Sequence, residues 1–263
     1  MGEADDQALI RRFRGARRDR ELAVLEGFHA LKHALRFGAE VVEAVAADPA
    51  QLRELAAGLA PDLGDLLGER TAPVAAAVVA ELAPRAPRTG VVAIAHRPAV
   101  DVEAVLAAPR EAPLVLLEDP RTMGNMGACV RVAAAADAAG VLTIGSGDPW
   151  HPDALRGAAG LHFALPVAPV ALFPSSGREK RQEPLNDLAA SERPLIAIDP
   201  EGEPLHAAQL PPRAILAFGT ERYGLSEELL GRADARLGIP MREGVSSLNL
   251  ATAVAAVLFA QRA

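Results

Sequence analysis

From residue 113 onward the chain repeats one pattern: a short apolar run, a turn of Gly, Pro or polar residues, then a helical pattern. The runs are "PLVLLE" (113–118), "GVLTIG" (140–145), "HFALPV" (162–167), "PLIAID" (194–199) and "AILAFG" (214–219). An almost unbroken apolar strand has no face to give to water, so such runs belong inside a sheet covered on both sides. The helical patterns between them, such as 126–139 and 152–159, supply that cover, and the alternation makes the sheet largely parallel. An α/β fold is the expectation for this half.

The chain is 263 residues long and half apolar, enough for two domains with sizeable cores. Ahead of residue 113, "LAVLEGFHALKHALRFGAEVVEAVAAD" predicts a strand, a helix with Phe28, Leu31, Ala34 and Leu35 on one face, and a second strand. The Ala-rich segments 50–83 and the strand-like "TGVVAIAHRP" (89–98) complete a smaller α/β unit. "AVDVEAVLAAPREAP" carries two prolines and reads as a connector. The expected division is therefore a domain over 1–107 and another over 113–263. The polar stretch 174–192 is expected to include a surface loop.

A formal net charge of −7 gives no global basic signature, so any nucleic-acid contact must come from a local patch or from shape. The one dense basic cluster is "RRFRGARRDR" (11–20), with six Arg and one Asp. It reads as an arm, either solvated and partly disordered or contacting RNA through Arg11, Arg12, Arg14, Arg17 and Arg18. Cys129 is the only cysteine, which removes intramolecular disulfides and cysteine-cluster metal sites and fits a reducing compartment. "MGEADDQALIRRFRG" does not read as a secretory signal, and the apolar run near the C-terminus, interrupted by Asn249 and Thr252, is too short to span a bilayer. A cytoplasmic protein without membrane association is expected.

Three junctions combine Gly and polar residues where strands should hand over to helices, the place where open α/β sheets put their ligands. In "LEDPRTMGNMGACVRVAAAADAAG" (117–140), Gly124 and Gly127 allow close backbone approach, Asn125 and Gly127 precede the expected helix, and Arg131 lies one to two turns inside it, able to face a phosphate or a reacting oxygen. In "LAFGTERYGLSEELL" (216–230), Ser226 is the expected helix cap, and Glu221 sits between two glycines without a structural duty. In "PMREGVSSLNLATAVAAVLF" (240–259), Ser246, Ser247 and Asn249 stand at a helix entry, where they either cap free backbone N–H groups or form a ligand site. No G-x-G-x-x-G, Walker A lysine, G-x-S-x-G elbow or His-rich metal pattern is present, so no metal is expected. His151, His162 and Trp150 read as packing or surface residues.

Taken in order, "NMGACVR", "FGTERYGLS" and "IPMREGVSSLNLATAVAAVLF" resemble the three motifs of the SpoU (TrmH-like) RNA ribose 2'-O-methyltransferases of the SPOUT superfamily. "GDPWHPDALRGAAGLHFALPV" resembles the family segment that follows the first motif. The likeness is strong over 113–263, whereas "LAVLEGFHALKHAL" resembles more weakly the family's L30e-like RNA-binding domain. The resemblance implies a trefoil-knotted SPOUT domain, S-adenosylmethionine as methyl donor bound at the knot, and a homodimer with its active site at the subunit interface. By motif position it implies Asn125, Arg131, Glu221, Ser247 and Asn249 as polar active-site residues, and Gly219, Ile239 and Leu248 as cofactor contacts. Arg222 and Tyr223 depart from the family pattern, in which small residues are common there.

The implied substrate is structured RNA, with ribosomal RNA preferred to transfer RNA because the extra N-terminal domain resembles one that recognises folded RNA. A non-catalytic RNA-binding or ribosome-assembly protein of the same fold is the alternative. Methylating a 2'-hydroxyl requires its oxygen to line up behind the sulfonium methyl and lose a proton, which positioning and charge stabilisation can promote. Family proposals include the motif Arg as general base. A guanidinium, which stays protonated in proteins, is better suited to anchoring a phosphate and stabilising a developing alkoxide, with Glu221 holding its side chain.

Overall fold

The computed structural model describes residues 3–170, 188, 191–205, 210–220 and 223–260. The chain forms two compact units, one made of 1–99 with 150–164 and the other of 100–149 with 165–263. The boundary near residue 100 lies close to the expected one. The segment 150–164 belongs to the first unit, so the chain does not divide into two consecutive stretches.

In the first unit the order is α1 (Glu3–Ala16), β1 (Leu22–Glu26), α2 (Phe28–Arg36), β2 (Val41–Ala46), α3 (Pro49–Leu59), α4 (Gly64–Arg70), β3 (Ala72–Pro73), α5 (Ala76–Leu82) and β4 (Val91–His96). The sheet order is β1-β4-β2-β3, with β4 antiparallel to both β1 and β2. The expected strand, helix and strand over 22–46 form, and α2 buries Phe28, Leu31 and Ala34. Gly160 shows how 150–164 fits this unit. At φ +77 a Cβ on it would lie 2.5 Å from the carbonyl oxygen of Ala30 in α2, so only glycine allows the approach.

The basic run is not an arm. It is the second half of α1 and the turn after it, because Leu9, Ile10, Phe13 and Ala16 recur at helical spacing and are buried. Arg12 makes a paired hydrogen bond to Glu43, at 2.9 and 2.7 Å. Arg17 pairs with Glu26 at 2.8 Å and donates to the carbonyl of Leu82. Arg11, Arg14 and Arg18 are exposed.

The second unit holds α6 (Val102–Ala107), β5 (Leu114–Glu118), α7 (Met123–Ala135), β6 (Gly140–Ile144), β7 (Val167–Pro169), β8 (Leu195–Pro204), β9 (Ile215–Phe218), α9 (Glu227–Arg232), β10 (Ala235–Gly238) and α10 (Leu250–Ala260); α8 (Pro152–Gly157) belongs to the first. Its six strands run β10-β8-β9-β5-β6-β7, every pairing parallel, as the apolar runs require. Most residues of β5, β6 and β9 are fully buried, and α10 packs on α7.

Two expectations are corrected here. The run at 162–167 begins as a 3-10 turn over Leu161–Phe163, and the strand is Val167–Pro169, because His162 and Phe163 pack around Trp150 instead of entering the sheet. The stretch 99–113 is not merely a connector. Asp101 caps α6 by accepting from the Ala104 N–H, and buried Arg193 donates to the carbonyls of Leu106, Ala108 and Ala112, which satisfies groups in the last turn of the helix and beyond it. Burial, and then the nearby Arg213 charge, lower the Arg193 pKa. Residues 174–187 of the expected surface loop lie outside the described residues.

Candidate active site

All three junctions lie at carboxyl ends of parallel strands, after β5, β9 and β10. The strand order places β5 beside β9, with strands on one side continuing through β6 and on the other through β8, so the chain direction across the sheet reverses between them. Such a switch point leaves an open crevice, because consecutive connections diverge from it.

The first and second junctions are tied at their roots. The Glu118 carboxylate at the end of β5 accepts from the Ser226 backbone N–H at 2.7 Å and from its hydroxyl at 2.6 Å. Ser226 also caps α9 as expected, its oxygen accepting from the Leu229 N–H at 3.2 Å. Between them, Thr220 and Gly224 exchange backbone hydrogen bonds at 3.1 and 3.0 Å across a tight loop. Gly224 sits at φ +66, and a Cβ on Gly219 would lie 2.0 Å from the Gly224 carbonyl carbon. Both positions therefore require glycine.

A hydrogen bond joins the third junction to the first: the Asn249 side-chain amide donates to the Asn125 side-chain Oδ1 at 3.2 Å. Asn249 also accepts from the Ala251 N–H at 3.0 Å, so it is the residue that caps α10. Ser246 and Ser247 stand before the cap and line a cleft instead.

That cleft has a volume of about 340 Å³, within the usual range for small-molecule sites. Gly219, Ile239, Ser247 and Leu248 line it, with Asp199, Phe218 and Met241. Arg131 lies on α7 with its side chain exposed and is not among the residues that line the cleft. Glu221 and Arg222 lie outside the described residues.

Sequence reasoning missed Asp199. Residues 198–202 stand out of the pairing between β8 and β10, because Arg236 faces Ala197 while Leu237 faces Glu203. The bulge turns on Asp199, which accepts from the Glu201 N–H at 2.9 Å, and on Gly202, where a Cβ would lie 2.5 Å from the Leu237 nitrogen. Arg236 donates to Asp199 at 3.0 and 2.6 Å and to Glu201, and these bonds raise its pKa. The available signal was "AIDPEG", an apolar strand running into Asp-Pro at the same edge of the sheet as the other junctions.

The family model described as "SpoU rRNA Methylase family" matches residues 112–259, more than half of the chain. The chain belongs to the SpoU rRNA methylase family. This SpoU chain is 31% identical over 204 residues to the 23S rRNA (uridine(2479)-2'-O)-methyltransferase of Streptomyces viridochromogenes, a match covering 76% of this chain and 64% of that relative. It therefore spans just under two thirds of that protein's length. Among solved structures, a crystal structure of an RNA 2'-O ribose methyltransferase shares the fold at 27% identity and a TM-score of 0.74, covering 99% of this chain and 97% of the other. The SpoU methyltransferase AviRb from Streptomyces viridochromogenes, solved in complex with AdoMet, shares the fold at 23% identity and a TM-score of 0.72, covering 96% of each chain.

Proposed function

We propose that this SpoU protein transfers a methyl group from S-adenosylmethionine to a ribose 2'-hydroxyl of structured RNA, ribosomal in preference to transfer RNA. The observation that carries this reading is the joining of all three motif loops at one edge of the parallel sheet, with Asn249 bonded to Asn125 and Gly219, Ile239, Ser247 and Leu248 around one cleft. Relatives named as 23S rRNA 2'-O-methyltransferases support ribosomal RNA as the substrate class.

The cleft suits the donor chemically. Apolar walls from Ile198, Phe218, Met241 and Leu250 fit an adenine, and the backbone at Gly219, Ile239 and Leu248 offers polar groups at close range. When bound, S-adenosylmethionine supplies an activated methyl group on a sulfonium. Arg131 acts as a charged anchor for phosphate and stabilises the alkoxide character that develops on the 2'-oxygen. Glu221 holds the Arg131 guanidinium. Asn125 and Asn249, fixed against each other, and Ser247 orient the ribose.

The same reading includes a trefoil knot around the cleft, a homodimer with the site at the subunit interface, and an L30e-like RNA-binding role for the N-terminal unit. With Arg12 and Arg17 engaged internally, Arg11, Arg14 and Arg18 carry the RNA contact of the basic run. Among the described residues no helix is long and apolar enough to cross a membrane, and a cytoplasmic setting fits a ribosomal substrate.

The test is incubation with methyl-labelled S-adenosylmethionine and unmodified 23S rRNA, followed by mapping of the labelled ribose. Label at a 2'-oxygen is expected. Calorimetric binding of the cofactor without any incorporation into ribosomal or transfer RNA would sink the catalytic reading.

A further inference from the structure

One carboxylate on the cleft wall has no part in the reaction described above. "IAIDPEG" (196–202) turns β8 out of its pairing at Asp-Pro, and a proline favours extended backbone in the residue before it. The turn is packed closely, since a Cβ on Gly238 would lie 3.1 Å from the Asp199 carbonyl oxygen. Asp199 is 9% exposed, and a carboxylate so buried needs hydrogen bonds for both of its oxygens. Only one oxygen has them. Oδ1 accepts from the Glu201 N–H and from Nε and Nη2 of Arg236. Among the described residues Oδ2 accepts no hydrogen bond. It lies beside Gly224, 3.8 Å from the place a Cβ on that glycine would take, and Asp199 and Gly224 both line the cleft.

We propose that Asp199 Oδ2 accepts a hydrogen bond from a ribose hydroxyl of S-adenosylmethionine, so that the cleft requires a ribonucleoside as methyl donor. The inference rests on the methyl-transfer reading, which supplies backbone groups and apolar walls for the cofactor, and adds a charged side chain that recognises it. S-adenosylmethionine carries three kinds of donor: the ribose hydroxyls, the adenine amino group and the amino-acid ammonium. The ammonium is a poor match, because Arg236 already sets a positive charge on this carboxylate and repels a second one. A neutral hydroxyl meets no such repulsion. A carboxylate at the end of a parallel strand is also a recurring means by which open α/β sheets hold a ribose hydroxyl. Arg236 is a positioning residue: its two bonds to Oδ1 fix the carboxylate and leave Oδ2 to the ligand.

Calorimetry on the full chain tests this with four ligands: S-adenosylhomocysteine, which is the cofactor without its methyl group, the 2'-deoxy and 3'-deoxy analogues of it, and S-inosylhomocysteine, which lacks the adenine amino group. Wild type should bind at least one deoxy analogue about tenfold to a hundredfold more weakly than S-adenosylhomocysteine, the scale of a hydrogen bond to a charged group. Asp199→Asn keeps the shape of the side chain and removes its charge. It should bind S-adenosylhomocysteine about tenfold more weakly, and its penalty for the deoxy analogue should shrink to about threefold or less. Arg236→Gln should reduce that penalty by a smaller factor. The change in preference is the readout, because a variant that only loosens the fold weakens all four ligands alike.

Wild-type binding of both deoxy analogues as tight as that of S-adenosylhomocysteine overturns the proposal without any variant. So does an Asp199→Asn protein that loses affinity for all four ligands by one factor, which would make the carboxylate a support of the bulge. A variant whose lost preference is for adenine over S-inosylhomocysteine, with the deoxy penalty intact, moves the contact to the amino group and overturns it as well. An Arg236→Gln protein with the full deoxy penalty overturns the positioning role. A wild type that shows the hydroxyl preference yet leaves 23S rRNA unmethylated overturns the methyl-transfer reading alone. If it binds none of the four ligands, both readings fall.

Discussion

Both units tie arginines to carboxylates or carbonyls, and they differ in where those ties lie. In the first, Arg17 and Arg156 converge on Glu26, whose side chain is 2% exposed, while Arg12 pairs with Glu43 and Arg36 with Asp62. These pairs join α1 and the turn after it to β1, β2 and the 150–164 segment, and tie α2 to the turn at Pro61–Leu63. In the second, Arg193 is tied to backbone carbonyls and Arg236 to Asp199 on the cleft wall, while Arg131 stands exposed on α7. A dense basic stretch is therefore not by itself a nucleic-acid footprint. Its charges count only after those paired with carboxylates of the same unit are removed, which leaves Arg11, Arg14, Arg18 and Arg20.

The sharpest way to break the contrast is Arg131→Ala. Loss of methyl transfer by about a thousandfold or more is expected, the scale of a removed charge stabiliser, with S-adenosylmethionine binding retained in calorimetry. Near-normal turnover would place Arg131 with the structural arginines. Gly219→Ala comes next. The added Cβ must part Gly219 from Gly224, so cofactor affinity should fall at least about tenfold, and an unchanged binding isotherm would remove Gly219 from the cofactor wall.

On the structural side, Glu26→Gln leaves Arg17 and Arg156 without their shared carboxylate. Removing one partner of a buried pair costs about 3 to 5 kcal/mol, and because both arginines retain access to water, about 2 kcal/mol is expected in denaturant unfolding. A cost near zero would mean that the first unit does not depend on its ion pairs. Replacing Arg11, Arg14 and Arg18 together with Gln should weaken RNA binding and lower the slope of log affinity against log salt by about two. An identical slope would remove the basic run from the RNA interface.

The smallest effect concerns His33, whose Nδ1 lies 2.7 Å from the Ala159 carbonyl oxygen. Burial lowers its pKa from the ordinary 6.5, so the folded unit prefers it neutral. Its contribution to stability is full above pH 6.5 and declines as pH falls below that value. Thermal unfolding followed from pH 7.5 to 5.5 should show a shallower acid-side decline in His33→Asn than in wild type, and parallel curves would refute the linkage.

Much of the second unit was legible because its signals are local. Buried parallel strands are apolar throughout, so "LVLLE" and "ILAF" announce themselves. Ser226 is a cap by residue type and position. Short strands with mixed burial were harder: β10, "ARLG", is only half buried and has no periodicity to find. At the site, residue type alone could not tell Ser246, Ser247 and Asn249 apart. All three are cap formers, and only the hydrogen bonds assign Asn249 to the helix and to Asn125 and leave the serines to the cleft.

The sequence by itself determined the parallel α/β architecture of the second half, its three polar junctions, and membership of the SpoU family through the order of their motifs. Tertiary structure decided which partner each charged or polar group took. It paired Arg12 with Glu43 and Arg17 with Glu26, turned Asp199 out of the sheet, and set Tyr223 under Arg121. The physical reason is range. Periodicity and caps act within a few residues, whereas Arg121 and Tyr223 meet only because β5 and β9 lie side by side in the sheet.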